Sequence, residues 1–579
     1  MIVRQIRVQE RRFRNLTRYY DFKIRQLLEQ VRSKPSEELE SETIEFKGYR
    51  DERALHNAKE LAEELSAFAN LSGGVVIVGV RDSSDVVHGN WESQLQGIAG
   101  VDLIETKERI GGKLKPSVNL SVWSLIYDEK TYVVIEIDRS FESLVSTASG
   151  KTCIRDGRSS RPMSPDEIER AVKSLARYDW SSDRPDASSA IEFDKHSLEE
   201  ALEDFRQRRN LSEPVSHDGY LEAVGATQNG MITRGGLLFL GTVDSIRANL
   251  GDFEFRFTWK NPNGELLVND IWTGNLWQAV RRAESHFQKC NTIQHFRSGE
   301  TKFEAPLMDE IAFHEAYLNA LVHRDYSVDG MISVTYFGEE LRIHSPGAFF
   351  GGVTSDNIAR HEPRHRNKNL ARILMTHNLV DRAGMGVLRM GLGSLRYGRA
   401  FPEFREQSDA VEVKMEAKYL RPRVAVLGIQ NRESWGIPEL LIINSVYETG
   451  VVSIQDLEAR LRRLVDSPFQ AIEKAVERIP QVEICGNQDG VFVRVVPSWK
   501  NFLSVGKTFR LTPSSSNYVK LFRYLLGHGE ASNSDLTELL GYNHSSQTSK
   551  FLREANFVER RGSGRNARWR IIGQQVNSV

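Results

Sequence analysis

His314–Ser327 reads HEAYLNALVHRDYS. Ala316, Leu318, Ala320, Leu321 and Val322 favour a helix. Glu315, Asn319 and His323 recur every four residues and share one helical face. A carboxylate, an amide and an imidazole on one stripe can meet a phosphate, its metal and a water together. On spacing alone the stripe would serve equally as a solvated face, and the sequence that follows decides between the two.

Next comes MISVTYFGEELRIHSPGAF. Ile332, Val334 and Tyr336 alternate, Gly338 turns, and Leu341 and Ile343 alternate again, which predicts a β-hairpin. Ser345-Pro346-Gly347 ends it, an amphipathic run follows over Asn369–Leu379, and Asp381-Arg-Ala-Gly384-Met-Gly386 opens a further helical pattern, Val387–Leu395. Glycines ahead of a helix let the backbone approach a phosphate, where amides and helix dipole favour negative charge. A lone Gly-x-Gly fits a plain loop as well. The ordered set is more specific: helical stripe, hairpin with Pro-Gly, then Gly-x-Gly.

With these motifs, residues 190–410 resemble the divergent GHKL-type ATPase module, related to the ATP sites of gyrase and histidine kinases. The resemblance implies ATP and Mg²⁺ as ligands. It implies that Asn319 holds Mg²⁺ at the phosphates, that Glu315 positions or activates the attacking water, and that Gly384 and Gly386 shape the phosphate lid. His323 and Gly347 complete the expected nucleotide-binding set. There is one departure. Where such sites carry Asp-x-Gly to read adenine, this chain has Ser345-Pro346-Gly347.

The 579 residues suffice for three or four domains. The formal net charge of −1 announces no nucleic acid globally, so only local patches can. Cys153, Cys290 and Cys485 lie far apart, form no metal spacing and suit a reducing cytoplasm. No apolar run approaches the ~18 residues of a membrane span. The charged N-terminus does not read as a secretory signal, and no solenoid repeat is evident. The expectation is a cytoplasmic protein with no membrane partner.

Residues 1–36 read as a basic amphipathic helix, with ten Lys or Arg between Arg4 and Lys34 and Phe13, Leu16, Tyr20, Ile24 and Leu27 at helical spacing. It serves either as a packed helix with a solvated basic face or as a phosphate-contacting or oligomerising arm. Residues 37–178 read as one domain. Thr43, Glu45 and Lys47 share one face of a strand, with Ile44 and Phe46 turned to the core. A helix over Asn57–Ala69 follows, then the buried strand VVIVGV, a strand over Tyr132–Ile137, and a basic loop containing Arg155, Arg158 and Arg161.

Glu40…Glu45-Phe-Lys47, Ala67-Phe-Ala-Asn70-x-x-Gly73-Gly74 and Gly79-Val-Arg-Asp82 together resemble the Schlafen/AlbA-type nucleic-acid-binding domain over residues 37–170. In Schlafen nucleases such carboxylates form a metal-dependent RNA-cleaving site. By position these are Glu40, Glu45 and Asp82, with Lys47 placed to hold a scissile phosphate. Clustered carboxylates hold divalent metal, which activates water and stabilises phosphoryl charge. The expected geometry puts Glu45 and Asp82 within about 4–6 Å of each other as ligands of one ion. The alternative is a binding domain that never cuts, in which Arg155 and Arg158 contact nucleic acid.

Residues 179–195 are polar and read as a linker, and 196–420 as the ATPase module. Its first half includes a helix near Leu198–Arg208, a turn-and-strand run over Thr233–Gly241 and strands around Phe253–Trp259. The C-terminal third holds one pattern twice, three helices and a strand pair, giving winged helices at 436–500 and 514–575. In the second copy Ser534 is a candidate N-cap. There Lys550, Arg553, Arg561, Arg565 and Arg568 are candidate DNA contacts from the third helix and wing. The first copy carries Glu473 and Glu477 on its third helix, which points to packing.

The sequence therefore predicts a multidomain α+β protein: a Schlafen-like α/β domain, a GHKL-like α/β sandwich and two winged helices. The function expected is an ATP-binding, DNA- or RNA-binding regulator or anti-phage defence protein, in which nucleotide state controls assembly of a homo-oligomer or engagement of nucleic acid. The rivals are a metal-dependent endonuclease and a non-catalytic winged-helix transcriptional regulator.

Overall fold

The computed structural model describes residues 23–572 except 119, 174, 176–177, 186–191, 262, 299, 381–383, 408, 418–420, 504–514 and 565–566. The arm expected over residues 1–36 lies mostly outside the described residues, as does Arg565. The chain divides into two compact units, Met1–Tyr178 and Asp179–Val579, and mixes helix and sheet in both.

In the first unit, β1 (Ile44–Lys47) runs parallel to β2 (Gly74–Val78). Antiparallel pairing then adds β4 (Lys130–Ile137) and β3 (Leu120–Tyr127), for a strand order β1-β2-β4-β3. Both faces of this sheet are covered. Ile24, Leu28 and Val31 pack with Phe46, Val75 and Ile77 on one face. On the other, Leu61, Leu65 and Phe68 of α1 (Lys59–Asn70) pack with Val76 and Val78. A strand covered on both faces reads as a continuous apolar run, which accounts for VVIVGV. It also means that the face carrying Glu45 is roofed by α1 and by the hairpin of β5 (Cys153–Asp156) and β6 (Ser159–Pro162).

The second unit centres on a six-stranded sheet. Its strands are β7 (Glu254–Lys260), β8 (Leu266–Thr273), β9 (Ile332–Phe337), β10 (Glu340–Pro346), β11 (Glu403–Gln407) and β12 (Ala410–Glu416), in the order β8-β7-β9-β10-β12-β11. Only β7 and β9 pair in parallel. The expected hairpin is present as β9–β10, with Tyr336 opposite Leu341. Phe257, Trp259 and Tyr336 pack beneath α2 (Leu276–Cys290) and α3 (Glu310–His323) through stacked and edge-on rings with Phe287 and Phe313.

Two sequence expectations change here. The run expected as turn and strand over Thr233–Gly241 is a helix, Arg234–Leu240, capped by the Thr233 hydroxyl. Gly235 through Leu240 are all buried, so the helix has no polar face and no readable period. The start of the expected linker is packed instead: Trp180 is buried and stacks on Tyr326 at 5.3 Å, and Asp179 accepts the Asn369 N–H at 2.9 Å.

Beyond the sheet, two modules repeat one plan. The first has helices Ile437–Thr449, Ile454–Leu461 and Pro468–Arg478 and a three-stranded sheet. The second has Ser515–His528, Asn533–Leu540 and Ser545–Glu554 with another three-stranded sheet. One apolar core runs through both. Arg523 pairs with Glu473 at 2.7 Å, and the Asn556 N–H donates to the Gln488 carbonyl at 2.7 Å. Ser532, two residues before the expected Ser534, is the N-cap of the second helix, and Asp535 closes a capping box with it. Among the described residues no helix is long and apolar enough to cross a membrane.

Candidate nucleotide site and nucleic-acid surfaces

Helix α3 starts at Asp309, whose carboxylate accepts the Ala312 N–H at 2.9 Å. Its Ala312, Phe313, Ala316, Tyr317, Leu318, Ala320, Leu321 and Val322 are buried. Glu315, Asn319 and His323 stay partly accessible and face a cavity of about 170 Å³. Gly347, Gly384 and Gly386 line the same cavity, so all the residues expected to form the nucleotide site meet in one place. The loop between β10 and α4 (Lys368–Thr376) supplies Phe350, Val353, Ile358 and His361 through His365 as further lining.

Two glycines have close-packing reasons to be glycine. Gly347 has φ +103°, and a Cβ there would stand 2.9 Å from the Asp325 backbone nitrogen. At Gly386, the first residue of α5 (Gly386–Arg396), a Cβ would stand 2.7 Å from Glu315 Oε2 and 3.3 Å from Asn319 Nδ2. The start of α5 thus presses against the stripe of α3. Glu315 Oε1 accepts from Arg389 Nη1 at 2.8 Å.

The neighbouring residues fix the end of α3. The Asn367 amide donates to the Val322 and Arg324 carbonyls at 2.8 and 2.9 Å. Arg366 pairs with Asp325 and donates to the Ala348 carbonyl at 3.0 Å. Ser345 is buried, and its hydroxyl donates to the Ala320 carbonyl at 2.8 Å. The His323 ring stacks on His365 with centroids 5.2 Å apart. Burial first, then His365 and Arg366, push His323 down to about 3, and burial also lowers His365. At neutral pH both imidazoles are uncharged, so His323 lines the cavity without supplying a cation for phosphate. An Mg²⁺ ion suits the donor set: Asn319, on the cavity wall, carries one hard amide oxygen, and phosphates and water would supply the remaining ligands of such an ion.

The acidic cluster of the first unit differs from its expected form. Glu45 is 4% exposed. Its Oε1 takes Lys47 Nζ at 2.6 Å and its Oε2 takes Arg155 Nη1 at 3.0 Å. Arg155 also bonds Glu64 and donates to the Ser41 carbonyl at 2.8 Å, and its guanidinium lies 4.7 Å from the centre of the Phe68 ring. Asp82 is elsewhere engaged. Its carboxylate accepts from the Ser84 hydroxyl and N–H, at 2.6 and 2.8 Å, and these bonds hold it below the usual carboxylate range.

Glu40 stands near Glu45 and accepts the Phe46 N–H at 3.3 Å. Burial, then the Glu45 charge, push it up to about 7. Among the described residues no group of three or more His, Cys, Asp or Glu side chains is placed to hold a metal ion. The expected open cage of Glu40, Glu45 and Asp82 is replaced by a closed ion cluster, because α1 and the β5–β6 hairpin roof the Glu45 face. The Lys47 ammonium is likewise engaged by Glu45. The side chain of Arg155 is fully buried and offers no surface to nucleic acid. Arg158 is exposed, with Nη1 3.4 Å from the Glu37 carbonyl.

In the last module Lys550, Arg553 and Arg561 are exposed. Arg568 is exposed with Asp535 3.6 Å away.

Residues 40–164 match the family described as Schlafen, AlbA_2. Residues 329–415 match the family described as "Putative ATP-dependent DNA helicase recG C-terminal", a span that begins after the α3 stripe. Among solved structures, the chain is similar to the DIP2311 protein from Corynebacterium diphtheriae, at 19% identity and TM-score 0.46, over 80% of this chain and 94% of that one. It is also similar to the N-terminal domain of a protein from Nitrosomonas europaea described as "Putative ATP-dependent DNA Helicase RecG-related", at 17% identity and TM-score 0.18, over 24% of this chain and 90% of that one. A search of curated proteins returned no match. The chain joins a Schlafen/AlbA_2 segment to an ATPase-like segment of the recG C-terminal family.

Proposed function

We propose that the protein binds ATP with Mg²⁺ in the α3–α5 cavity and uses nucleotide state to set how it engages DNA or RNA, as a regulator or defence protein. The observation that carries this reading is the convergence of Glu315, Asn319, Gly347, Gly384 and Gly386 on one cavity from three separate stretches of sequence. Asn319 would hold Mg²⁺, which when bound neutralises phosphate charge. Glu315 is the base for the attacking water. The close backbone at Gly386 admits the phosphates beside both.

The two C-terminal modules read as winged helices. In the first, the third helix is occupied within the chain: Glu473 binds Arg523 and Phe469 packs 5.8 Å from Phe522. In the second, the helix Ser545–Glu554 keeps Lys550 and Arg553 exposed, so this copy is the DNA reader. The cavity loop reaches the first module through Arg360–Asp466 at 3.3 Å and Asp356–Arg463 at 2.9 Å. Exposed pairs of this kind contribute at most about 1 kcal/mol each. A loop held that weakly can exchange partners when a nucleotide fills the cavity. The closed Glu45 cluster favours binding over cleavage by the first unit.

Nucleotide can alter nucleic-acid affinity only through differential binding to two states, and the effect is reciprocal. The test is the affinity of the full chain for duplex DNA and for single-stranded RNA, with and without ATP and Mg²⁺. A several-fold change that Asn319→Ala abolishes is expected. Affinities unchanged at saturating nucleotide would refute the coupling.

A further inference from the structure

We propose that Arg389 reads the terminal phosphate of the bound nucleotide and that, until a triphosphate arrives, it keeps Glu315 occupied. This rests on the nucleotide reading of the cavity and adds a residue to it. Arg389 lies three residues beyond Gly386, about one turn along α5. The turn before it runs alongside the far oxygen of the same carboxylate, so close that a Cβ at Gly386 would stand 2.7 Å from it. One helix therefore engages Glu315 at Oε1 through the Arg389 guanidinium at 2.8 Å and brings Gly386 alongside Oε2, where a side chain would not fit.

The two partners differ in accessibility. The Glu315 side chain is 15% exposed and that of Arg389 40%, so the carboxylate is the more enclosed partner and the guanidinium the more accessible one. Arg389 is not part of the buried face of α5, which is Val387, Met390, Gly391, Gly393, Ser394 and Leu395, so a turn of its side chain toward a ligand leaves the helix packed.

The chemistry of the exchange follows from charge. A guanidinium fork matches phosphate oxygens and carboxylate oxygens alike. The terminal phosphoryl group carries more negative charge than one carboxylate and presents three oxygens, so it competes with Glu315 for Arg389. A diphosphate lacks that group. Among the basic side chains lining the cavity, His323 and His365 are uncharged at neutral pH and do not substitute, and the Arg364 guanidinium is carried by the loop between β10 and α4 rather than by α5. Once Arg389 moves to phosphate, Glu315 Oε1 is free to accept a proton from water. The water oxygen bonds to the γ-phosphorus as the bond from that phosphorus to the β–γ bridging oxygen breaks. The electron pair leaves with ADP, inorganic phosphate is the other product, and the proton ends on Glu315.

The test compares ATP and ADP affinities of the full chain in Mg²⁺ by calorimetry, for wild type, Arg389→Gln and Arg389→Lys. Loss of one charged hydrogen-bond partner is expected to weaken ATP on the order of 10- to 100-fold in Arg389→Gln and leave ADP within about 2-fold. Arg389→Lys is expected to recover part of the loss. In steady-state hydrolysis the Gln variant should raise KM for ATP and lower kcat together, which a merely structural residue would not do selectively for the triphosphate. An ATP-to-ADP affinity ratio unchanged in Arg389→Gln, or both nucleotides weakened equally in Gln and Lys variants, would overturn the proposal. Failure of wild type to bind either nucleotide would instead overturn the parent reading, so the two failures are distinguishable.

Discussion

Arg155→Met removes the centre of the first unit's ion cluster. The wild-type cluster sets Arg155 and Lys47 against Glu45 and Glu64, two cations and two carboxylates. The substitution leaves two buried or half-buried carboxylates sharing Lys47, which lies 2.6 Å from Glu45 and 3.8 Å from Glu64. It also orphans the Ser41 carbonyl, which now accepts at 2.8 Å. Breaking a buried ion pair by deleting one partner costs roughly 3–5 kcal/mol, because the other charge stays buried. Methionine fills much of the vacated volume, so little of the loss comes from a cavity. At about 2–4 °C per kcal/mol for a unit of this size, the transition of the first unit should fall by roughly 6–20 °C.

Differential scanning calorimetry of the full chain reads this directly. Arg155→Met combined with Glu45→Gln and Glu64→Gln should recover a large part of the loss, since it removes the stranded charges. Mg²⁺ should not raise the wild-type transition, because Glu45 has no free oxygen to offer. A loss below about 1 kcal/mol, or stabilisation of wild type by Mg²⁺ in this unit, would refute the closed cluster and return Glu45 to the metal-site reading.

Other expectations are independent. Glu40 sits near 7 when folded against an ordinary value of 4.5, so its protonated form is the one the fold favours. The stability it lends is present at low pH and lost as pH rises through about 7. Glu40→Gln should therefore stabilise the first unit at pH 8 by about 1 kcal/mol, after screening at a half-buried site, and change little near pH 4. Gly347→Ala should cost about 1–3 kcal/mol in urea unfolding, because its positive φ and the Asp325 backbone leave no place for a Cβ. Gly386→Ala meets the side-chain ends of Glu315 and Asn319 rather than backbone, so it should cost less stability than Gly347→Ala while weakening nucleotide binding. Lys550→Ala, Arg553→Ala and Arg561→Ala should each lower the slope of log K against log salt for duplex binding by about 1. An unchanged slope would make the last module a docking element.

The candidate cavity was legible because α3 is buried over most of its surface and Glu315, Asn319 and His323 form a polar stripe along one remaining face. Four-residue spacing was enough to find Glu315, Asn319 and His323. It said nothing about charge: burial neutralises His323, and the stacked His365, 42 positions later in the sequence, adds to the effect. Arg366, Asn367 and Arg389 were missed. Arg366-Asn367 directly before the amphipathic run was the available signal, since an amide preceding a helix is often a cap. Here it caps the carbonyl end of α3 instead of its own helix.

Alternation along β1 correctly put Glu45 and Lys47 opposite Phe46. It could not tell whether that face was open, and α1 with Arg155 closes it. The doubled pattern at the C-terminus was legible from one apolar helix, Ile437–Thr449, and five amphipathic ones packed on a shared core. The docking of one copy on the other was foreshadowed by Glu473, which pairs with Arg523.

If the α3–α5 cavity is a nucleotide site, the intact protein binds ATP with Mg²⁺ there. Titration calorimetry of the intact protein with ATP in Mg²⁺ tests it most directly, with Asn319→Ala and Glu315→Ala as controls. Saturable 1:1 binding is expected, which Asn319→Ala weakens at least about 10-fold and Glu315→Ala retains while hydrolysis slows. No heat of binding in the wild type, or binding indifferent to Asn319→Ala, would contradict it.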